Sequence, residues 1–236
     1  VRLSELRNRW WFPDHLVVAP LWEALRGCAH YAHGDLLDLG CGNAPYRAWF
    51  APHVRRYITA DHPPVAAAVQ VACSSERLPF RSACFDTILC TQVLEHVPHP
   101  WQAAVEIARV LRAGGVLILS CPQYWPLHEV PHDYFRYTVY GLKSLFPPAQ
   151  WEWLEHHQQG RTWAVIGCAL WQSFATFGRG KRLLALVLNP LFLLLDRLWK
   201  QSPDTTNHLV VLRRRADPPA AAASAEAETA EAAPAR

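Results

Sequence analysis

From Leu36 onward the apolar residues come in short runs, separated by stretches whose apolar positions recur every three or four residues. "DLLDLG", "RRYITAD", "VQVAC", "FDTILC" and "GVLILSC" have the length and β-branched character of buried strands. Between the last two lies "PWQAAVEIARVLRAGG", where Ala104, Ile107, Ala108 and Leu111 form one helical stripe and Gly114 and Gly115 are expected to end the helix. "APYRAWFAP" predicts a short helix after the first strand, and "PLWEALRGCA" an earlier one beginning near Pro20. "QWEWLEHHQQ" and "HLVVLRRR" read as a sixth and a seventh strand. Strands alternating with helices predict an α/β fold, a doubly wound and mostly parallel sheet covered on both faces. The expected organisation is an N-terminal arm and helix over 1–33, a main domain over 34–215 and an Ala/Glu/Pro tail over 216–236 too poor in apolar residues to fold.

Composition narrows the class. The chain is 51% hydrophobic with 11 Trp, ample for a packed core, and its net charge is only +3. Arg213 to Arg215 form the one basic run, so no nucleic-acid partner is expected. Seven Cys without a C-x-x-C pair argue against a disulfide framework or a zinc ribbon and fit a reducing, cytoplasmic setting. "VRLSELRNRWWF" has no apolar signal-peptide core. With no Met anywhere, Val1 reads as a non-standard start or the edge of a fragment.

The chemistry concentrates at "LLDLGCGNAPY", where Gly40 and Gly42 would let backbone approach a ligand at the carboxyl end of the first strand. No Gly-Lys-Ser/Thr follows, so a phosphate loop is excluded, and Pro45 stands where a dinucleotide fingerprint needs its third glycine. Asp61 ends the second strand and suits a ribose diol. Turn and carboxylate together imply an adenosine-type cofactor, with NAD and S-adenosylmethionine both open.

The segments that follow carry a resemblance. Asp38-Leu39-Gly40-Cys41-Gly42, Leu78-Pro79-Phe80, Phe85-Asp86, Val93 to His96 and Arg109 to Gly115 are together similar to the class I S-adenosylmethionine-dependent methyltransferases, most closely the type 11 subgroup. The resemblance spans Gly34 to Pro122 and implies a Rossmann-like seven-stranded sheet with its last strand antiparallel. It also implies S-adenosyl-L-methionine as cofactor, lying across the carboxyl ends of strands one to four. Carried over by position, Asp38, Gly40, Cys41 and Gly42 would line the methionine end and Asp61 the ribose. Ser74, Ser75 and Glu76 stand where the family usually places an Asp at the adenine, and Gln92 would lie beside the sulfonium.

Methyl transfer is an in-line displacement that depends on alignment, and a hydroxyl acceptor also needs a base. His96 and the loop "CPQYWPLHEVPHDYFRYTVYGL" fall at the same sheet edge. The H-D-Y-F-R-Y-T core of that loop resembles a segment in one branch of the bacterial type 11 enzymes. His132 is the foremost candidate base, with His96, Asp133 and Tyr134 beside it. In the competing reading, Tyr134, Phe135 and Tyr137 pack the loop down, Arg136 pairs with Asp133 and His96 caps a turn. Four His nearby lack a ligand spacing signature, so no metal is expected.

Residues 160–203 insert two apolar stretches around a basic "GRGKR" before the last strand, neither long enough to span a bilayer. A helical hairpin is expected there, acting as a lid, a homodimer surface or a peripheral contact with the inner membrane face. The function implied is O-methylation of a small, glycan-linked or lipid-linked acceptor. The alternative is a cofactor-binding scaffold without turnover.

Overall fold

The computed structural model describes residues 15–64, 66–173, 180–199 and 204–216, with 180–184 described as backbone alone. Seven strands form one sheet: β1 (Asp35–Leu39), β2 (Arg56–Asp61), β3 (Val71–Ala72), β4 (Phe85–Thr91), β5 (Leu111–Pro122), β6 (Trp151–Gln159) and β7 (Asn207–Arg214). Their order is β3-β2-β1-β4-β5-β7-β6, and only β7 runs antiparallel to its neighbours. Helices α1 (His15–Gly27), α2 (Arg47–Phe50), α3 (Pro100–Val110), α4 (Val139–Leu145), α5 (Thr162–Ser173) and α6 (Gly180–Leu198) cover it. The expected doubly wound sheet and its antiparallel last strand are present.

Alternation within the strands sends side chains to two cores. Leu37, Leu39, Ile88, Cys90, Leu117, Leu119, Val210 and Leu212 pack with Ile107 and Val110 of α3 and with Leu142 of α4. Their odd-and-even partners Leu36, Leu89, Val116, Ile118, Leu209 and Val211 pack with Leu21 and Leu25 of α1 and with Phe50. A one-residue slip would exchange the two sets, so the register is pinned from both faces.

Two elements depart from the sequence expectation. α3 stops at Val110, and Leu111 already pairs with Phe85, so the stretch through Gly115 opens β5 instead of finishing the helix. Arg109 donates to the carbonyls of Leu78 and Phe80, tying the helix end to the preceding loop, and Gly114 takes φ +78°. α1 already includes His15, with Pro20 in its interior instead of at its start. It is also no separate arm: Leu16 and Val17 join Ala164, Cys168, Trp171, Ala185 and Phe192 in a third core between α1 and the hairpin. Gly167 permits that approach, since a Cβ there would stand 2.4 Å from Leu16 Cδ1. The hairpin expected over 160–203 is present as α5 and α6, while Gly178 and Arg179 of "GRGKR" and the side chains of Lys181 and Arg182 lie outside the described residues. So do the arm over 1–14 and the tail after Ala216.

Candidate functional site

β1 ends in a glycine turn at the carboxyl edge of the sheet. Gly40 and Gly42 have φ +69° and +52°, and a Cβ on Gly40 would meet Val93 Cγ2 at 2.2 Å. β2 ends beside it, and both Asp61 oxygens accept backbone N–H groups, from Gly42 at 2.7 Å and from His62 at 2.7 Å. The turn and the carboxylate thus hold each other in place. They open onto a cleft of about 580 Å³ whose lining also includes Ser74, Ser75, Glu76, His96, Pro98, Glu129, His132 and Tyr134.

Not every residue singled out from the sequence faces that cleft. Asp38 is 2% exposed and accepts the Tyr57 hydroxyl at 2.6 Å, while burial pushes its carboxyl up to about 7. Gly40 and Cys41 are turn residues outside the cleft's lining, and burial pushes the Cys41 thiol up to about 12. Ser74 and Ser75 do line the cleft, and Glu76 lines it while its carboxylate accepts His99 N–H at 3.0 Å.

Gln92 lines a second pocket of about 480 Å³ with Val17, Leu21, Trp22, Pro45, Tyr46, Trp125 and His128. His96 and Glu129 line both spaces, so these two side chains form the wall between cleft and aromatic pocket. Gln92 and Glu129 hold left-handed backbone at φ +55° and +51°, conformations that non-glycine residues keep only where the surroundings impose them. At Gln92 the imposition comes from Ser120, whose carbonyl accepts its N–H and whose hydroxyl accepts its amide.

The loop after β5 is fastened in the way its bland reading expects, and it also faces the site. Arg136 grips Asp133 through both carboxylate oxygens, at 2.7 and 2.8 Å, and Asp133 also accepts His128 N–H. Those bonds hold the Asp133 carboxyl well below the usual carboxylate range, and its side chain is 1% exposed. Asp133 therefore meets neither space, which corrects its place among the reacting groups. His132 and Tyr134 do face the cleft, with His132 Nδ1 3.0 Å from the Tyr134 hydroxyl. His96 Nδ1 lies 2.7 Å from the His132 carbonyl, a partner that can only accept, so Nδ1 carries the proton and Nε2 is the basic atom.

Sequence reasoning missed Glu95, Glu129 and the aromatic pocket. Glu129 had a readable signal in "LHEVPHD", between two His already noted. The pocket had none, because Trp22, Tyr46 and Trp125 come from three distant segments.

Residues 37–119 match the family model described as a methyltransferase domain. This stretch is a class I, S-adenosylmethionine-dependent methyltransferase domain of the type 11 family. Among curated proteins, the chain is 34% identical over 115 residues to an uncharacterized methyltransferase of Mycobacterium leprae (strain Br4923), covering 44% of this chain and 42% of that one. It is 37% identical over 115 residues to one of Mycobacterium avium (strain 104), covering 44% and 45%. The chain thus spans less than half the length of the curated relatives it matches. Of solved structures, the cyclase SpnF aligns with a TM-score of 0.57 at 18% identity over 85% of this chain and 82% of that one. An S-adenosylmethionine-dependent methyltransferase from Mesorhizobium loti aligns at 0.55 and 14%, covering 82% and 97%. Identities this low speak for the fold alone, and a cyclase among the neighbours shows that the fold does not dictate the reaction.

Proposed function

We propose that this protein transfers a methyl group from S-adenosylmethionine to a hydroxyl of a small, glycan-linked or lipid-linked acceptor. One observation carries the reading: the cleft beside Gly42 and Asp61 and the aromatic pocket beside Gln92 share His96 and Glu129 in their linings. A donor in the first and an acceptor in the second would meet at that wall, which is the alignment an in-line displacement needs. Asp61 is suited to the ribose because a carboxylate holding two N–H groups still has lone pairs for hydroxyls. Ser74, Ser75 and Glu76 would face the adenine, and the turn from Asp38 to Gly42 the methionine end. Trp22, Tyr46 and Trp125 suit an acceptor with an apolar or ring-shaped body. His96 Nε2 and His132 are the groups placed to take the acceptor's proton.

The same wall argues against a scaffold that merely stores cofactor, since such a protein has no use for a second pocket adjoining the first. Acceptor candidates incubated with the protein and S-adenosylmethionine should yield S-adenosylhomocysteine and a product 14 mass units heavier, the increment of one methylene. His132→Ala should keep cofactor affinity and lose about two to four powers of ten in turnover if it is the base. Cofactor binding without turnover on any hydroxylated acceptor would return the scaffold reading.

A further inference from the structure

Glu95 is 0% exposed, and neither of its carboxylate oxygens has a hydrogen-bond partner among the described residues. Burying a carboxylate without a partner is costly, and such a group is either neutral or waiting for a cation. Its neighbours favour the cation. One ligand atom each from Glu95, His96 and His128 lies within 4.8 Å of the other two. His96 Nε2 stands 3.9 Å from Glu95 Oε1 and 3.8 Å from Glu129 Oε2. Ligand atoms around one ion with bonds of about 2 Å lie about 3–4 Å apart, so little adjustment would close the set.

The imidazoles are also held as metal-binding imidazoles are. His96 gives its Nδ1 proton to the His132 carbonyl, and His128 Nδ1 lies 3.1 Å from the Pro126 carbonyl and 3.2 Å from the Asp133 carboxylate. In both rings the outer nitrogen is fixed by an acceptor, which leaves the other as a lone pair. The two rings meet edge to face, centroids 4.6 Å apart. Asp133, gripped by Arg136, thereby gains a use it lacked as a reacting group: it orients His128.

We propose that Glu95, His96 and His128 bind one divalent transition-metal ion, of the kind that accepts mixed nitrogen and oxygen ligands, with Glu129 closing the site from the solvent side. The ion would sit in the wall between cleft and aromatic pocket, leaving a position for an acceptor oxygen, and with His96 Nε2 among its ligands the acceptor's proton would fall to His132. That last role rests on the methyl-transfer reading; the binding itself does not.

A second cluster, Cys28, Glu155 and His157, meets the same distance criterion but is already satisfied. Glu155 accepts the Tyr31 hydroxyl at 2.6 Å and pairs with His157 at 2.6 Å, and the Cys28 thiol faces the same carboxylate. It serves as the internal control.

The test is calorimetric titration of the chelator-stripped full chain with zinc chloride, paired with cobalt(II) absorption spectra and no acceptor. One equivalent should bind, with cobalt bands of nitrogen and oxygen ligation and no thiolate charge-transfer band. Glu95→Gln and His128→Ala should each weaken zinc binding at least tenfold while S-adenosylmethionine affinity persists, and His157→Ala should leave it unchanged. Glu95→Gln should also raise the melting temperature of the metal-free protein, because an amide relieves the buried carboxylate. Should that variant not fold, His128→Ala, at the surface of the wall, decides alone. No stoichiometric zinc, binding that survives both variants, or a thiolate band that His157→Ala abolishes would overturn the proposal. None of these results depends on turnover, so an inactive protein that binds zinc as described leaves the site standing and removes only the methyl-transfer reading.

Discussion

Asp61 accepts two backbone N–H groups and still faces the cleft, so its loss touches the ligand and the turn together. Removing a charge-assisted bond costs about 1.5–3 kcal/mol, so Asp61→Ala should weaken S-adenosylmethionine binding roughly tenfold to a hundredfold in a calorimetric titration. Equal affinity would take Asp61 out of the site. Asp61 was legible because it ends a strand beside a glycine turn, a placement that sequence spacing reports. Glu95 was not, although it sits within the quoted Val93-to-His96 motif: only the packing shows that nothing answers its carboxylate. The partner of Asp38 was likewise not legible, since only the packing shows Tyr57 donating to its carboxylate. His208 is a third such residue, 1% exposed on β7 between His156 at 2.9 Å and Gln123 at 2.7 Å. Burial lowers it to about 4. An unfolded chain takes up that proton near pH 6.5 while the folded one waits until about 4, so stability is complete above about 6.5 and falls as pH drops toward 4, by at most about 3 kcal/mol. Urea midpoints across that window should slope less in His208→Gln; parallel slopes would show that another group governs the acid limb.

At the scale of elements, α6 has two faces. Phe192 is buried and Leu195 packs against the core with α1, whereas Val187, Leu191, Leu194 and Leu198 are 67%, 44%, 52% and 73% exposed. Those four recur at helical spacing, so one stripe of the helix is apolar and open to solvent. Among the described residues, no helix is long and apolar enough to cross a membrane. A membrane contact through this stripe predicts that anionic vesicles sediment the protein at low salt, and that Leu191→Ser with Leu194→Ser releases it without changing S-adenosylmethionine affinity. Lys and Arg of "GRGKR" would add about 1 kcal/mol each near an anionic surface, so salt should weaken the interaction. No sedimentation, with a dimer at the same protein concentration, would assign the stripe to a second copy. The hairpin itself was readable from two apolar stretches of helical length. Which of their faces points outward was not, because α6 is apolar nearly all round and only the packing of Leu16 and Gly167 against it selects the inner side.

For the molecule as a whole, a ligand that binds only the folded state stabilises it by about 2.7 kcal/mol at a hundredfold excess over Kd, which in a chain of this size raises Tm by about 5–10 °C. S-adenosylmethionine and S-adenosylhomocysteine should both do so, and NAD should not; an equal shift with NAD would reopen the dinucleotide reading. The strands were legible because buried parallel strands are nearly continuous apolar runs, but their order was not, and the end of α3 was not because its Leu and Arg suit either state. The aromatic pocket borrows Val17, Leu21 and Trp22 from α1 and Trp125 from the loop after β5, with α5 and α6 bracing α1 from behind. Those pieces lie outside the stretch 37–119 that matches the family model, whereas Pro45, Tyr46, Gln92 and His96 of the same pocket lie within it. On the proposed reading, the part of the acceptor pocket built by α1 and Trp125 would vary apart from the glycine turn and Asp61, which lie within 37–119. A chimera that keeps 37–119 and replaces the flanks as a set should change what is modified while leaving what supplies the group untouched, whereas exchanging α1 alone would strand the hairpin that leans on it.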